Sequence, residues 1–329
     1  MLITGANGAG KTNLLEALHV GTQGFSPRSR MDAQLVRAGA ERSRVTAKGA
    51  RVGIPTVVEV TLGVHETKQV RLNGAALRSA EVLRSELETL VFTPDRLSVV
   101  KGGPGVRRAY VDRTLARLLP ARGTAPVEYA AALGQRNAVL RRISAGLATA
   151  DALAPWTAQV ARHGAELVTA RRDALAQLAP GFAAAAAELG LAGAWLEYEA
   201  EPPSETALEA RLARDLERGS TGLGPHLDEL GIRSGSRDLR AFGSQGEQRI
   251  AVLALLLAEA DLLAVRSAVP PLLLLDDVLS ELDADRRRSL VARIGRLPQA
   301  VVTATGAESL PLDPSQHLEV TPGEVREVV

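Results

Sequence analysis

The octet Gly5-Ala6-Asn7-Gly8-Ala9-Gly10-Lys11-Thr12 fits G-x-x-x-x-G-K-[ST], a spacing suited to cradling a nucleoside triphosphate. Glycines let successive backbone N–H groups turn toward phosphate oxygens, which a Cβ would crowd. Lys11 is expected to reach the β- and γ-phosphates, and the Thr12 hydroxyl to ligate Mg2+. Two acids, Asp276 and Asp277, follow Pro270-Pro271-Leu272-Leu273-Leu274-Leu275. Four leucines read as a central strand, and ligands collect at the carboxyl ends of such strands. Neighbouring side chains on a strand point apart, so the two carboxylates should have different jobs. Asp276 suits the Mg2+ shell; Asp277 suits the orientation or deprotonation of an attacking water. A third stretch, Phe242 to Arg249, opens a long helix. Ser244 with Glu247 reads as a capping box, while Gly243 and Gly246 beside free helix N–H groups offer a second anion site. Ser280-Glu281-Leu282-Asp283 lies just beyond the acids.

These residues need elements to hold them. Leu2 to Thr4 reads as the tail of a strand, and Asn13 to Val20, with Leu14, Leu15 and Leu18 on one face, as a helix. So short a strand suggests a truncated start. The segment from Gly24 to Gly49 is polar and Arg-bearing, with no readable period. Thr56 to Leu62 alternates as a strand, Gln69 to Leu77 reads as a hairpin around Asn73-Gly74, and Leu90 to Phe92 as a buried strand. From Gly105 to about Arg218 the period is helical, broken only by a strand at Ala194 to Tyr198. Leu227 to Ile232 is strand-like, Gln245 to Leu263 a long buried helix, Ala284 to Ile294 a helix and Ala300 to Thr305 a strand. Two weak strands close the chain. The expectation is an α/β fold with a mainly parallel, doubly covered sheet. It has three parts: an ATPase lobe over 1–104, an inserted helical lid over 105–218, and the lobe continued over 219–329.

The 329 residues include no cysteine, which excludes disulfides and thiolate metal sites and points to a reducing, cytoplasmic setting. There is no basic-then-apolar leader and no apolar run of about 18 residues. The net charge of +1 hides a split: residues 1–150 carry 22 Lys+Arg against 11 Asp+Glu, and residues 151–329 carry 17 against 27. The richest window, 101–150, has nine basic and two acidic residues. Such asymmetry suggests a polyanion as partner, with Arg107-Arg108 the candidate contacts. The pairs Arg141-Arg142 and Arg171-Arg172 and the run Arg286 to Arg288 read as solvated surface. So, by itself, does His226 read as a structural histidine.

Taken in order, the P-loop, the serine-glycine signature, the Leu-Leu-Leu-Leu-Asp-Asp strand and Ser-Glu-Leu-Asp resemble an ABC-type ATPase head. Within it the chain is similar to the RecF family of bacterial recombination mediators. Further matches are Asn13, Phe92-Thr93-Pro94-Asp95, Arg107-Arg108 with Asp112, Gln135-Arg136-Asn137 and Gly224-Pro225-His226-Leu227-Asp228. The resemblance spans nearly the whole chain. It implies an ABC-type head with a helical lid, a homodimer driven by Mg-ATP, slow hydrolysis and binding to gapped, single-stranded or duplex DNA. It also implies partnership with RecR, and with RecO in loading RecA. By the same resemblance Ser244, Gln245 and Gly246 act in trans, and Ser280 and Asp283 form the D-loop. Departures are an absent strand and Arg-bearing loop before the P-loop, and Leu227 and Glu229 where Arg and Asp are usual. No glutamine serves as a Q-loop near Pro94, and Thr303 or Thr305 stands where a histidine is common.

The leading function is an ATP-gated DNA clamp reset by hydrolysis; the alternative is a nucleotide switch or scaffold without functional turnover. A transporter motor lacks a span or coupling helix, a P-loop kinase would not need Ser244-Gln245-Gly246, and a chromosome-condensing head would need long heptads.

Overall fold

The computed structural model describes residues 1–29, 31–267, 269–306 and 314–328, without the side chains of Glu81 and Ser85. The chain forms two compact units, residues 1–96 with 260–329 and residues 97–259. The first unit opens with β1 (Leu2–Thr4), α1 (Lys11–Gln23), β2 (Arg42–Arg51), β3 (Ile54–Gly63), β4 (Gln69–Leu72), β5 (Ala75–Ala76), α2 (Ala80–Glu86) and β6 (Thr89–Phe92). The second holds α3 (Ser98–Lys101), α4 (Pro104–Leu118), α5 (Ala125–Ser144), α6 (Ala154–Glu188), β7 (Ala194–Glu199), α7 (Glu205–Glu209), α8 (Leu212–Arg218), β8 (Glu229–Ser234), β9 (Arg237–Asp238), α9 (Leu239–Phe242) and the start of α10 (Gln245–Arg266). The first then resumes with β10 (Leu272–Leu275), α11 (Ala284–Gly295), β11 (Ala300–Ala304), β12 (His317–Thr321) and β13 (Glu324–Val328).

The main sheet of the first unit runs β13-β12-β1-β11-β10-β6, parallel throughout except for β13. Its uninterrupted apolar strands follow from burial on both faces. Leu2, Ile3 and Leu273 to Leu275 are buried, and Ile3, Leu15, Val91, Leu274 and Val301 share one core cluster. β1 has only three residues yet sits in the middle of the sheet between β11 and β12. The carboxyl ends of β1 and β10 deliver the P-loop and the two acids.

The second sheet, β2-β3-β4-β5, is antiparallel. Its β4–β5 hairpin turns at Asn73-Gly74, both at positive φ, the turn the sequence predicts. β2 begins in the last third of the stretch with no readable period. α1 packs close behind the strand, since a Cβ at Gly21 would stand 3.0 Å from the Ala47 Cβ and 3.3 Å from Val45 Cγ1. Its inward residues, Ser43, Val45, Ala47 and Gly49, leave a weak apolar signal.

The second unit is a helical bundle with a three-stranded sheet, β7-β8-β9. Leu115, Tyr129, Val160, Leu167 and Ala174 lie in its core, on α4, α5 and α6. Among the described residues no helix is long and apolar enough to cross a membrane. The architecture is that of an ABC-type ATPase head with a helical insertion.

Candidate nucleotide site

Six residues join β1 to α1, and their backbone forms the loop. Gly5, Gly8 and Gly10 have φ of 154°, 82° and 111°, so all three use conformations open chiefly to glycine. At Gly5 a Cβ would also meet the Val320 carbonyl oxygen at 2.3 Å, so the close approach of β12 adds a second demand. Among the described residues no heavy atom outside the chain neighbours comes within 4 Å of a Cβ at Gly8. α1 starts without a side-chain cap and with no acid in its first turn, leaving its N–H groups for an anion. The Lys11 ammonium donates to the carbonyls of Gly5 at 2.7 Å and Ala6 at 3.0 Å, holding its charge across the loop. Asn7 is exposed at the loop's tip, while Ala9 is buried beneath it.

The two acids do separate, but by a turn and not by strand alternation: β10 ends at Leu275, and Asp277 is in the left-handed region. Asp276 is buried; its carboxylate accepts the Thr12 hydroxyl at 3.0 and 3.2 Å and the Thr303 hydroxyl at 2.8 Å. Thr12 and Asp276 are 264 positions apart in sequence, and their meeting makes a hard oxygen pair suited to Mg2+. Asp277 is half-buried, at φ 47°, and its carboxylate accepts instead from the Ser280 hydroxyl at 2.8 Å. Thr303 joins the two: its oxygen also accepts the Asp277 backbone N–H at 2.8 Å. The sequence marks Thr303 only as a histidine substitute. Its bridging role follows from register, since Val302 stands opposite Leu275 and Thr303 comes next. Asp283 caps α11 by accepting the Arg286 N–H at 2.9 Å, which, ahead of the nearby Arg286 charge, holds its carboxyl below the usual range.

Ser244 and Glu247 form the capping box: the Ser244 N–H donates to Glu247 at 2.8 Å, and the Glu247 N–H to the Ser244 hydroxyl at 3.2 Å. Hydrogen bonds from Arg237 and then from the Ser244 backbone keep the Glu247 carboxyl low. Ser244 and Gln245 are exposed. Gly243 has its own steric reason, since a Cβ there would lie 2.5 Å from the Leu239 carbonyl.

In the second unit the structure corrects the reading of the arginines. Arg107 is 2% exposed, paired with Glu229 and donating at 2.6 Å to the Gly102 carbonyl, so it is a buried strut and not a surface contact. Arg108 is half-buried and donates to the Asp228 carbonyl at 2.9 Å. Arg171, read as solvated, is 3% exposed and bonds both Asp112 oxygens, at 2.8 and 3.0 Å. Arg136 is 1% exposed; it pairs with buried Asp215 at 2.8 Å and donates to Thr221 at 2.7 Å, while Asn137 accepts from the Thr221 N–H and hydroxyl. A buried guanidinium is retained only with such partners. His226 sits in the same network. Its Nδ1 contacts the Tyr129 hydroxyl at 2.6 Å and its Nε2 the Thr221 carbonyl at 2.9 Å, and burial pushes its pKa down. The carbonyl needs a donor, so the proton is on Nε2 and Tyr129 donates to Nδ1.

Comparison with known proteins gives the family. The family model described as the RecF/RecN/SMC N-terminal domain matches residues 1–313. The "DNA replication and repair protein RecF" of Heliobacterium modesticaldum is 37% identical over 92% of this chain and 86% of its own. The protein so named from Anaeromyxobacter dehalogenans (strain 2CP-1) is 41% identical over the same shares. Among solved structures, the recombination mediator protein RecF with ATP, in the RecFOR pathway, superposes with a TM-score of 0.85 at 27% identity, over 100% of this chain and 91% of that one. An Smc head domain from Pyrococcus furiosus shares the fold, at TM-score 0.58 and 16% identity over 99% and 89%. The chain belongs to the RecF family of DNA replication and repair proteins, built on the head common to RecF, RecN and SMC ATPases.

Proposed function

We propose that this protein is a cytoplasmic, ATP-dependent DNA-binding repair protein that closes as a homodimer on gapped DNA and opens again by slow hydrolysis. It would serve with RecR and RecO in loading RecA, since the structures it resembles are of a mediator in the RecFOR pathway. The observation that carries the reading is the convergence of Thr12 and Asp276 beside the uncapped start of α1.

Bound Mg2+ would supply charge neutralisation on the β- and γ-phosphates. Thr12 and Asp276 are the residues to hold it, with Thr303 fixing the carboxylate. The backbone of residues 5–12 surrounds the phosphates, and Lys11, released from the Gly5 and Ala6 carbonyls, follows the outer ones. Asp277, steadied by Ser280, orients the attacking water and takes its proton. Ser244, Gln245 and Gly246, at an exposed helix start, cover the γ-phosphate held by a second copy, with Ser280 and Asp283 near the same contact. ATP then joins the dimer through charge-assisted hydrogen bonds that ADP lacks.

Light scattering of the full chain with ATP, ADP or no nucleotide tests this. ATP alone should double the mass, and Ser244→Arg should stay monomeric while binding ATP as well as the parent does. Mixing it with Lys11→Met should restore some hydrolysis, because a mixed dimer keeps one intact site. A Ser244→Arg protein that dimerises and hydrolyses ATP normally would sink the proposal.

A further inference from the structure

The β2–β3–β4 sheet spends its inner face on the core, where Val45, Ala47, Val58, Val60 and Val70 gather around Val20 of α1. Its outer face is different. In register across the strands stand Arg44, Thr61 and Gln69, then Thr46, Glu59 and Arg71, then Lys48 and Val57. Arg44, Lys48 and Arg71 are exposed, and none has an ion pair or hydrogen bond from its side chain among the described residues. By contrast Arg42 and Arg51, at the ends of β2, pair with Glu66 and Glu86. Glu59 is the one acid on the face.

We infer that this face holds the phosphate backbone of duplex DNA, irrespective of base sequence. The inference rests on the DNA-binding reading above and says where in the first unit contact is made. Residues two apart on a strand stand about 6.6–6.8 Å apart, so Arg44 and Lys48 are separated by about 13 Å. Arg71, two strands over, is about 10 Å from their row. Cations so spread cannot close around one compact anion. They match a linear polyanion, which along one strand of a duplex carries a charge every ~3.4 Å. Thr46, Thr61 and Gln69 add the neutral donors that phosphate contacts commonly use. No aromatic side chain stands on the face, so stacking with unpaired bases has no platform there. Protection of a free sheet edge is the competing explanation for charges on β2. It does not account for Arg71, because β4 is paired on both sides.

The charge balance agrees. Much of the excess in residues 101–150 is consumed inside the second unit, where Arg107, Arg117 and Arg136 pair with Glu229, Glu259 and Asp215. Arg44, Lys48 and Arg71 have no such partners among the described residues.

The test is fluorescence anisotropy of the full chain with ATP on two labelled duplexes of unrelated sequence, across a salt series. The triple variant Arg44→Ala/Lys48→Ala/Arg71→Ala should flatten the slope of log K against log salt by about 2.7, at about 0.9 per phosphate contact. At low salt its affinity should fall about a hundredfold for both duplexes, while ATP affinity and melting temperature stay at parental values. Glu59→Gln, which removes the face's one negative charge, should bind several-fold tighter. If the parent binds no DNA, this inference and the DNA-binding reading fall together. If the parent binds and the triple variant keeps its affinity and slope, the inference alone is overturned. A variant that loses an acidic protein partner but keeps DNA also overturns it.

Discussion

Replacing Thr303 by valine isolates the hydroxyl that ties the two acids together. Valine has the same branched shape, so the buried site is neither emptied nor overfilled. Two interactions are lost. The Asp276 carboxylate loses a donor at 2.8 Å, and hydrogen bonds to charged groups contribute about 1.5–3 kcal/mol. The half-buried Asp277 N–H loses its acceptor, which costs about 1 kcal/mol, the low end of the range for an unsatisfied donor. Thr12 still donates to Asp276, which limits the first loss, so the expected destabilisation is about 3 kcal/mol. For a unit of this size each kcal/mol lowers the melting temperature by about 2–4 °C, which gives a fall of about 6–12 °C. Calorimetry of the nucleotide-free protein reads this directly, and Thr303→Ser, which keeps the oxygen, should recover most of it. Mg-ATP affinity should weaken more than affinity for ATP in EDTA, because the displaced carboxylate belongs to the metal side of the site. A valine variant that melts within about 1 °C of the parent, or that weakens both forms of ATP equally, refutes the bridging role.

Two further expectations are as direct. Asp277→Asn should keep ATP and DNA binding but slow hydrolysis by at least about a hundredfold in a steady-state phosphate-release assay, and near-normal turnover would place the base elsewhere. His226 gives a pH signature. Burial lowers its folded pKa below the ordinary value of about 6.5, so on acidification the unfolded chain takes up the proton first. The unfolded state binds more protons in that window, and stability is lost as pH falls through about 6.5 toward the lower folded value. The parent's melting temperature should therefore drop more between about pH 7.5 and 5.5 than that of His226→Gln; equal slopes would exclude the network in which Tyr129 donates to a neutral ring.

The glycine loop, the two acids after β10, the capped start of α10 and most elements around them are legible because short-range spacing encodes them. Lys11 follows Gly10 whatever the rest of the chain does, and four leucines before Asp276 suffice to place a strand end. Long-range pairing is where the reading fails. Arg171 carries no mark of its bond to Asp112, 59 positions away, and as one of two adjacent arginines it looks solvated. Arg107 misleads for a like reason, since Glu229 reads as a family departure and is in fact its partner. The charge split between the halves is partly this pairing seen in one dimension. β2 was hidden by the opposite effect: its inward positions are Ser43, Val45, Ala47 and Gly49, with α1 close behind Val45 and Ala47, and such small residues carry little periodic signal.

The position of β1 also sets a timetable for synthesis. Its three residues are made some 300 positions ahead of their neighbours, residues 302–304 on one side and 317–319 on the other. At about 5–20 residues per second the strand waits roughly 15–60 s for its first partner to be translated. The segment 97–259 is continuous and meets no such delay, so it can become native on the ribosome while the nucleotide-binding unit is still half made. Closure of the main sheet is then a late, high-contact-order event, and until it occurs the P-loop hangs from a strand that lacks both β11 and β12.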